Sequence, residues 1–208
     1  LILTLESDPI GEGYKRLANS IYNKIKFIEI PNSEILELKN NVDKRNKYSS
    51  LIDYAHIFAF KIKSKGNIFV SNNVTIVGDI SSILNNNVLS ISTDSVKFPN
   101  AGDNILPYLM FVPTKYINDV TYKSVYDHAA SSVINGTHQY MLPFIKESSI
   151  QVNKLSSNIM ADMSIFTNNK YSNFRRYRNS ISSIYVNDSI LHSNKYTALQ
   201  AYWNQLVK

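Results

Sequence analysis

Residues 57–63 read Ile57-Phe58-Ala59-Phe60-Lys61-Ile62-Lys63, and the fold expected for the chain turns on that stretch. Phe58, Phe60 and Ile62 alternate with Ala59, Lys61 and Lys63, the period of two that marks a half-buried strand. Downstream, Lys65-Gly66-Asn67 and Asn72-Asn73 are turn signals on either side of Ile68 to Val70. Val74 to Val77 and Val88 to Ser92 continue the pattern, with Asn85-Asn86-Asn87 as a loop. The spacing predicts an antiparallel β-meander over residues 57–112. Its last strand, Ile105 to Val112, is bounded by Pro107 and Pro113, which places it at an edge. Lys61, Lys63 and Lys65 then read as a charged strand edge that discourages aggregation, with phosphate contact as the rival reading.

Upstream of the meander the period is helical. Tyr14, Leu17, Ala18, Ile21, Ile25 and Ile28 recur at three- and four-residue spacing and predict an amphipathic helix that ends by Pro31. A second helix is expected from Asn32 or Ser33, with Glu34 in its dipole-favoured first turn. Residues 49–56 fit helix and strand equally.

After Pro113 the helical period returns. Thr114 is a candidate cap for a helix with the stripe Ile117, Tyr122, Val125, Tyr126, Ala129 and Val133, ending at Asn135-Gly136. Three further stripes follow: Val152, Leu155, Ile159, Met163 and Phe166; Phe174, Tyr177, Ile181 and Tyr185; and Leu199, Tyr202, Trp203 and Leu206. The predicted class is therefore α+β, with N-terminal amphipathic helices, a central antiparallel β-meander and a helix-rich C-terminal third. The chain reads as a single domain, 1–208. A soft division at Thr167 to Ser172 separates an α+β core, 1–166, from a C-terminal helical segment, 167–208.

Composition sets the limits. A chain of 208 residues with 44% hydrophobic and 18% charged residues is globular rather than disordered. Abundant Asn, Ile, Lys and Tyr are AT-codon residues and point to an AT-rich genome, such as that of a phage, another virus or a low-GC bacterium. The absence of Cys excludes disulfides, thiolate nucleophiles and Cys-based zinc sites. No apolar run is long enough to span a membrane, and the Leu1 to Leu5 opening does not resemble a signal peptide. The expected setting is cytoplasmic, or a virion assembled there. A net charge of +6 favours a polyanionic partner only mildly.

Tests for chemistry return little. Asp53 with His56, and Asp127-His128 with His138, are the candidate carboxylate/His groupings, but no metal-ligand spacing joins them. Gly11-Glu12-Gly13 lacks the remainder of a phosphate loop and reads as a turn. Glu37-Leu38-Lys39 has the local form of a nuclease triplet, but on a helix. No nucleophile elbow is present. The reading thus assigns no catalytic residue, no cofactor and no metal.

One segment stands out. Tyr171, Phe174, Arg175, Arg176, Tyr177 and Arg178 hold three of the five arginines in the chain. Arg on an aromatic face suits a subunit interface or the nucleic-acid backbone. Taken together, the sequence predicts a non-enzymatic structural subunit of a larger oligomeric particle. A viral or tailed-phage virion component of the head–tail connector, neck or tail-ring type fits best. Its partners would be other protein subunits, in a homo-oligomer or multi-protein assembly, with no membrane. The alternatives are a nucleic-acid-binding protein using the basic aromatic helix, and an enzyme with a non-local carboxylate/His site.

Overall fold

The computed structural model describes residues 1–45, 51–93, 105–131, 139–156, 159–162 and 182–185. Strand β1 (Ile2–Leu5) leads into helix α1 (Glu12–Ile21) and returns as β2 (Phe27–Ile30). β1 and β2 pair in parallel, Ile2 against Phe27 through Leu5 against Ile30. A parallel pair needs a crossover, and α1 supplies it. Helix α2 (Asn32–Arg45) follows at the position the sequence predicts, and its first backbone N–H donates to Glu6 Oε2 at 2.6 Å.

The stretch that decided the expected fold is not a strand. Leu51–Phe60 form a 3-10 helix, and every side chain from Tyr54 to Phe60 is buried. Small Ala59 between two phenylalanines imitates inside–outside alternation, whereas the segment is apolar on all sides. Periodicity cannot separate a wholly buried helix from a strand. Lys61 is likewise not a strand-edge charge: its ammonium pairs with Glu34 at 2.7 Å and lies 5.2 Å from the Tyr122 ring centre.

The strands that follow do not form a meander. β3 (Gly66–Val70), β5 (Leu89–Thr93), β6 (Ile105–Pro113) and β7 (Val152–Lys154) make a mixed sheet in the order β3-β6-β5-β7, with β5 and β7 parallel. β4 (Val74–Ile76) leaves it and joins β8 (Met160–Asp162) and β9 (Ser183–Tyr185) in a three-stranded sheet ordered β4-β9-β8. β6 is central rather than an edge. Its prolines are tolerated because Pro113 is its last residue and Pro107 lies where the β5–β6 register shifts between Ile91 and Thr93. There the buried Ser92 hydroxyl replaces ladder bonds, donating to the Leu106 carbonyl and accepting from the Leu109 N–H at 3.2 Å.

β6 separates two cores. Met110 and Val112 enter the larger one, which the 3-10 helix and helices α3 (Asp119–Ser131) and α4 (Met141–Glu147) complete. Leu109 and Phe111 enter the smaller one with Val74, Ile83, Leu155 and Met160. Burial on both faces explains why the strand reads as a continuous apolar run.

Other expectations also change. α3 starts at Asp119 rather than at Thr114, because Asn118 Oδ1 accepts the Thr121 N–H at 2.9 Å and caps it. The stripe beginning Val152-Leu155-Ile159 is not helical. The Leu155 N–H donates to the Ile91 carbonyl at 3.0 Å, so β5 draws the segment into a strand. After residue 150 the described residues hold three strands and no helix, which corrects the helix-rich C-terminal third. The Phe174 stripe meets the described residues only at β9, and the Leu199 stripe lies outside them.

Helix α1 forms as expected but ends at Ile21, and its apolar stripe faces outward. Tyr14 is 74% exposed and Ile21 79%, and no residue of the helix is buried. No helix among the described residues is long and apolar enough to cross a membrane.

Candidate functional site

Among the described residues two strands that line the same crevice each have one partner. There β1 pairs with β2 alone. The Ile2 N–H donates to Lys26 O at 2.8 Å and the Glu6 N–H to Ile30 O at 3.0 Å, so the even residues bond toward β2 and Leu3 turns its amide groups to the other side. Among the described residues β3 pairs with β6 alone. The Ser71 N–H donates to Tyr108 O at 2.8 Å, which fixes the alternation: Asn67 and Phe69 bond into β6, while Ile68 and Val70 present N–H and C=O outward.

Between these strands lies a crevice of about 390 Å³. Ala55, Ala59 and Ile62, from the 3-10 helix and the turn after it, form its apolar floor. Small Ala side chains leave the space that larger ones would fill. At its far end the β3–β4 turn brings the Ser71 hydroxyl and the Asn72 amide to the wall, with Ser71 Oγ donating to Asn72 Oδ1 at 3.2 Å. That turn closes through a Val74 N–H to Ser71 O bond of 2.9 Å.

The crevice is held rigidly from below. Asn67 Nδ2 donates to the carbonyls of Ala59 at 2.7 Å and Ile62 at 2.6 Å, tying the end of the 3-10 helix to β3. Asn67 Oδ1 accepts from Ser64 Oγ at 2.8 Å, so the amide acts as a brace. Among the described residues no side chain lining the crevice is a carboxylate, an imidazole or a cation. It lies against the first residues of β1 (Leu1 to Leu3) and the last residues of β3 with the turn that follows (Ile68 to Asn72).

Those residues singled out from sequence that are described do not line this crevice. His56 is fully buried: its Nε2 is hydrogen-bonded to the Tyr140 hydroxyl, and the two rings stack 5.8 Å apart. Burial pushes the Tyr140 phenol well above its ordinary range, with the Tyr54 phenol adding to the effect, so Tyr140 keeps its proton. His128 is taken up by the Ser124 carbonyl at 2.8 Å and Glu147 at 3.0 Å, and Asp127 by Lys123 at 3.0 Å.

Among the described residues no three His, Asp or Glu side chains are placed to hold a metal. The side chain of Asp53 and all of His138 lie outside the described residues. So does the whole cluster Tyr171, Phe174, Arg175, Arg176, Tyr177 and Arg178. Gly11 is the N-cap of α1, but Glu12 and Gly13 already lie in its first turn rather than in a separate turn, with Glu12 paired to Lys15 at 2.8 Å. In the Glu37-Leu38-Lys39 triplet Leu38 is fully buried on α2, which makes it a core-facing helix turn. Sequence reasoning missed the crevice because its polar groups are backbone atoms, which carry no residue signature.

No protein-family model and no curated protein matches the chain. Solved structures do. The chain is similar to the galactosyltransferase LgtC, in complex with donor and acceptor sugar analogs, at a TM-score of 0.64 and 11% identity, over 95% of this chain and 81% of that one. It is also similar to the glycosyltransferase GlyE of Streptococcus pneumoniae TIGR4, at a TM-score of 0.62 and 10% identity, over 100% of this chain and 53% of that one. The chain therefore has the Rossmann-like glycosyltransferase fold of the GT-A type, not the helix-flanked meander predicted above. The likeness also runs against the expectation of a non-enzymatic virion, phage or head–tail connector subunit, because these similar structures are glycosyltransferases.

Proposed function

We propose that this chain is a glycosyltransferase, moving a sugar from an activated donor to an acceptor in the crevice between β1 and β3. The observation that carries the reading is the crevice itself, placed at the carboxyl end of β3 in a fold whose similar structures transfer sugars. LgtC was captured with donor and acceptor sugar analogs, and a site of that kind suits this crevice. Catalysis of such a transfer depends on holding two reactants in register, and a floor braced by Asn67 meets that need.

The test is a transfer assay on the full chain. A panel of activated sugars is offered with free mono- and disaccharide acceptors, and products are identified by mass. The expected result is an acceptor heavier by one sugar residue, or donor hydrolysis where no acceptor fits. Absence of both across the panel, with no sugar binding by calorimetry, would sink the reading.

A further inference from the structure

Helix α1 turns its apolar stripe away from the protein. Tyr14, Leu17 and Ile21 fall on one helical face at three- and four-residue spacing, and Tyr22 follows at the helix end. All four are exposed, Leu17 at 59% and Tyr22 at 57%. Within the helix only Lys15 and Ala18 are partly covered, so the stripe lies off the side that meets the fold. Single apolar residues on a surface are ordinary. A stripe of them along one helix marks a face that meets a partner.

The charge around the stripe says which partner. From Gly13 to Ile28 the chain carries four cations, Lys15, Arg16, Lys24 and Lys26, and no carboxylate. Glu12 neutralises Lys15 at 2.8 Å. Arg16, Lys24 and Lys26 are exposed and join no ion pair among the described residues. The face therefore suits an anionic partner.

A second copy of the chain is a poor occupant. A two-fold contact lays one patch on its own equivalent, which would set these three cations against themselves. A protein groove must match the ridge side chain by side chain. A layer of anionic headgroups over acyl chains receives any helix that has one apolar face and flanking cations. Tyrosine suits that boundary, with its ring in the apolar layer and its hydroxyl among the headgroups.

We infer that α1 lies flat on an anionic lipid bilayer. Tyr14, Leu17, Ile21 and Tyr22 enter the headgroup boundary, and Arg16, Lys24 and Lys26 meet the lipid charges. The contact is peripheral: no described helix is long and apolar enough to cross a membrane, and roughly two turns of apolar stripe bind reversibly. The inference is independent of the sugar-transfer reading, and its failure would leave that reading standing.

The experiment is flotation of the full chain with vesicles of phosphatidylcholine alone and of phosphatidylcholine mixed with phosphatidylserine, each at low and at raised salt. The expected result is binding to the mixed vesicles only, weakened as salt rises. Leu17→Ser with Ile21→Ser should weaken it on the order of tenfold, and so should Lys24→Glu with Lys26→Glu. Both variants should melt like the unmodified chain, because the replaced side chains are exposed. If the serine pair unfolds, the glutamate pair alone decides. Absence of binding to the mixed vesicles at low salt, equal binding to the neutral ones, or binding that survives the substitutions would overturn the inference. So would self-association in sedimentation that the serine pair abolishes while vesicles stay unbound, which would give the face to a second copy.

Discussion

The Tyr140 hydroxyl is hydrogen-bonded to His56 Nε2 inside the larger core, joining the 3-10 helix to the start of α4 across 84 positions of sequence. Tyr54 also stacks on Tyr140 with ring centres 6.1 Å apart, and Tyr140 is buried. Tyr140→Phe keeps the ring and its packing but leaves a buried imidazole nitrogen without this partner. We expect a loss of about 1–3 kcal/mol in denaturant unfolding. A variant as stable as the original would show that the bond contributes nothing net.

The same phenol sets an alkaline limit. Burial holds the Tyr140 pKa well above its ordinary value, and Tyr122 is raised by burial and by Glu34. For such groups the folded state keeps protons that the unfolded state releases. Stability is therefore level below the ordinary tyrosine pKa of about 10 and falls as pH rises beyond it. Urea midpoints measured from neutral to strongly alkaline pH should show that break, and Tyr140→Phe should make it shallower.

Asn67 braces the crevice floor. Asn67→Ala removes the donors to Ala59 O and Ile62 O, and we expect a destabilisation of about 1–3 kcal/mol. Asn67→Asp should be worse than Ala, because it sets an anion against two carbonyl oxygens. Thermal melts of the two variants side by side decide the order. An Asp variant as stable as the Ala one would show that these carbonyls turn away.

Gly66 lies under the Phe111 ring. A Cβ built there would come within 2.7 Å of Phe111 Cε2, and the backbone φ of +151° is itself unfavourable for a side chain. Gly66→Ala should cost about 1–3 kcal/mol by overpacking. Pairing it with Phe111→Leu should cost less than the sum of the two single changes, since the clash and the ring disappear together. Additive losses would instead assign the cost to backbone strain.

Ser92 stands in for the ladder where β5 and β6 change register. Ser92→Ala orphans the Leu106 carbonyl and the Leu109 N–H in a buried position, and a loss of about 2 kcal/mol is expected. Hydrogen exchange at Leu109 should accelerate more than at Met110, which keeps its own ladder partner.

Much of the strand content was legible, because short apolar runs bounded by Gly, Asn and Pro follow from local sterics. Ile68 to Val70, Val88 to Ser92 and Ile105 to Val112 were read as strands and are strands. The start of α2 was equally legible from its first-turn acid. Ile57 to Phe60 misled because alternation reports one-sided burial, and this segment is buried on every side. The stripe Val152, Leu155, Ile159, Met163 and Phe166 misled because helical spacing does not record a strand partner, and β5 supplied one to Val152 to Leu155.

The sequence by itself determined the chemistry available: no cysteine, no membrane-spanning helix among the described residues, a large apolar core and no local catalytic motif. Those properties belong to residues singly or to near neighbours. Only the tertiary structure decided that β3 sits beside β6, that β4 pairs with β9, and that β1 and β3 line one crevice over an alanine floor. A strand's partners are fixed by chain segments tens of positions away, and strand backbone is made of groups common to all residues. The candidate site is therefore invisible to residue identity and appears only when the sheets are assembled.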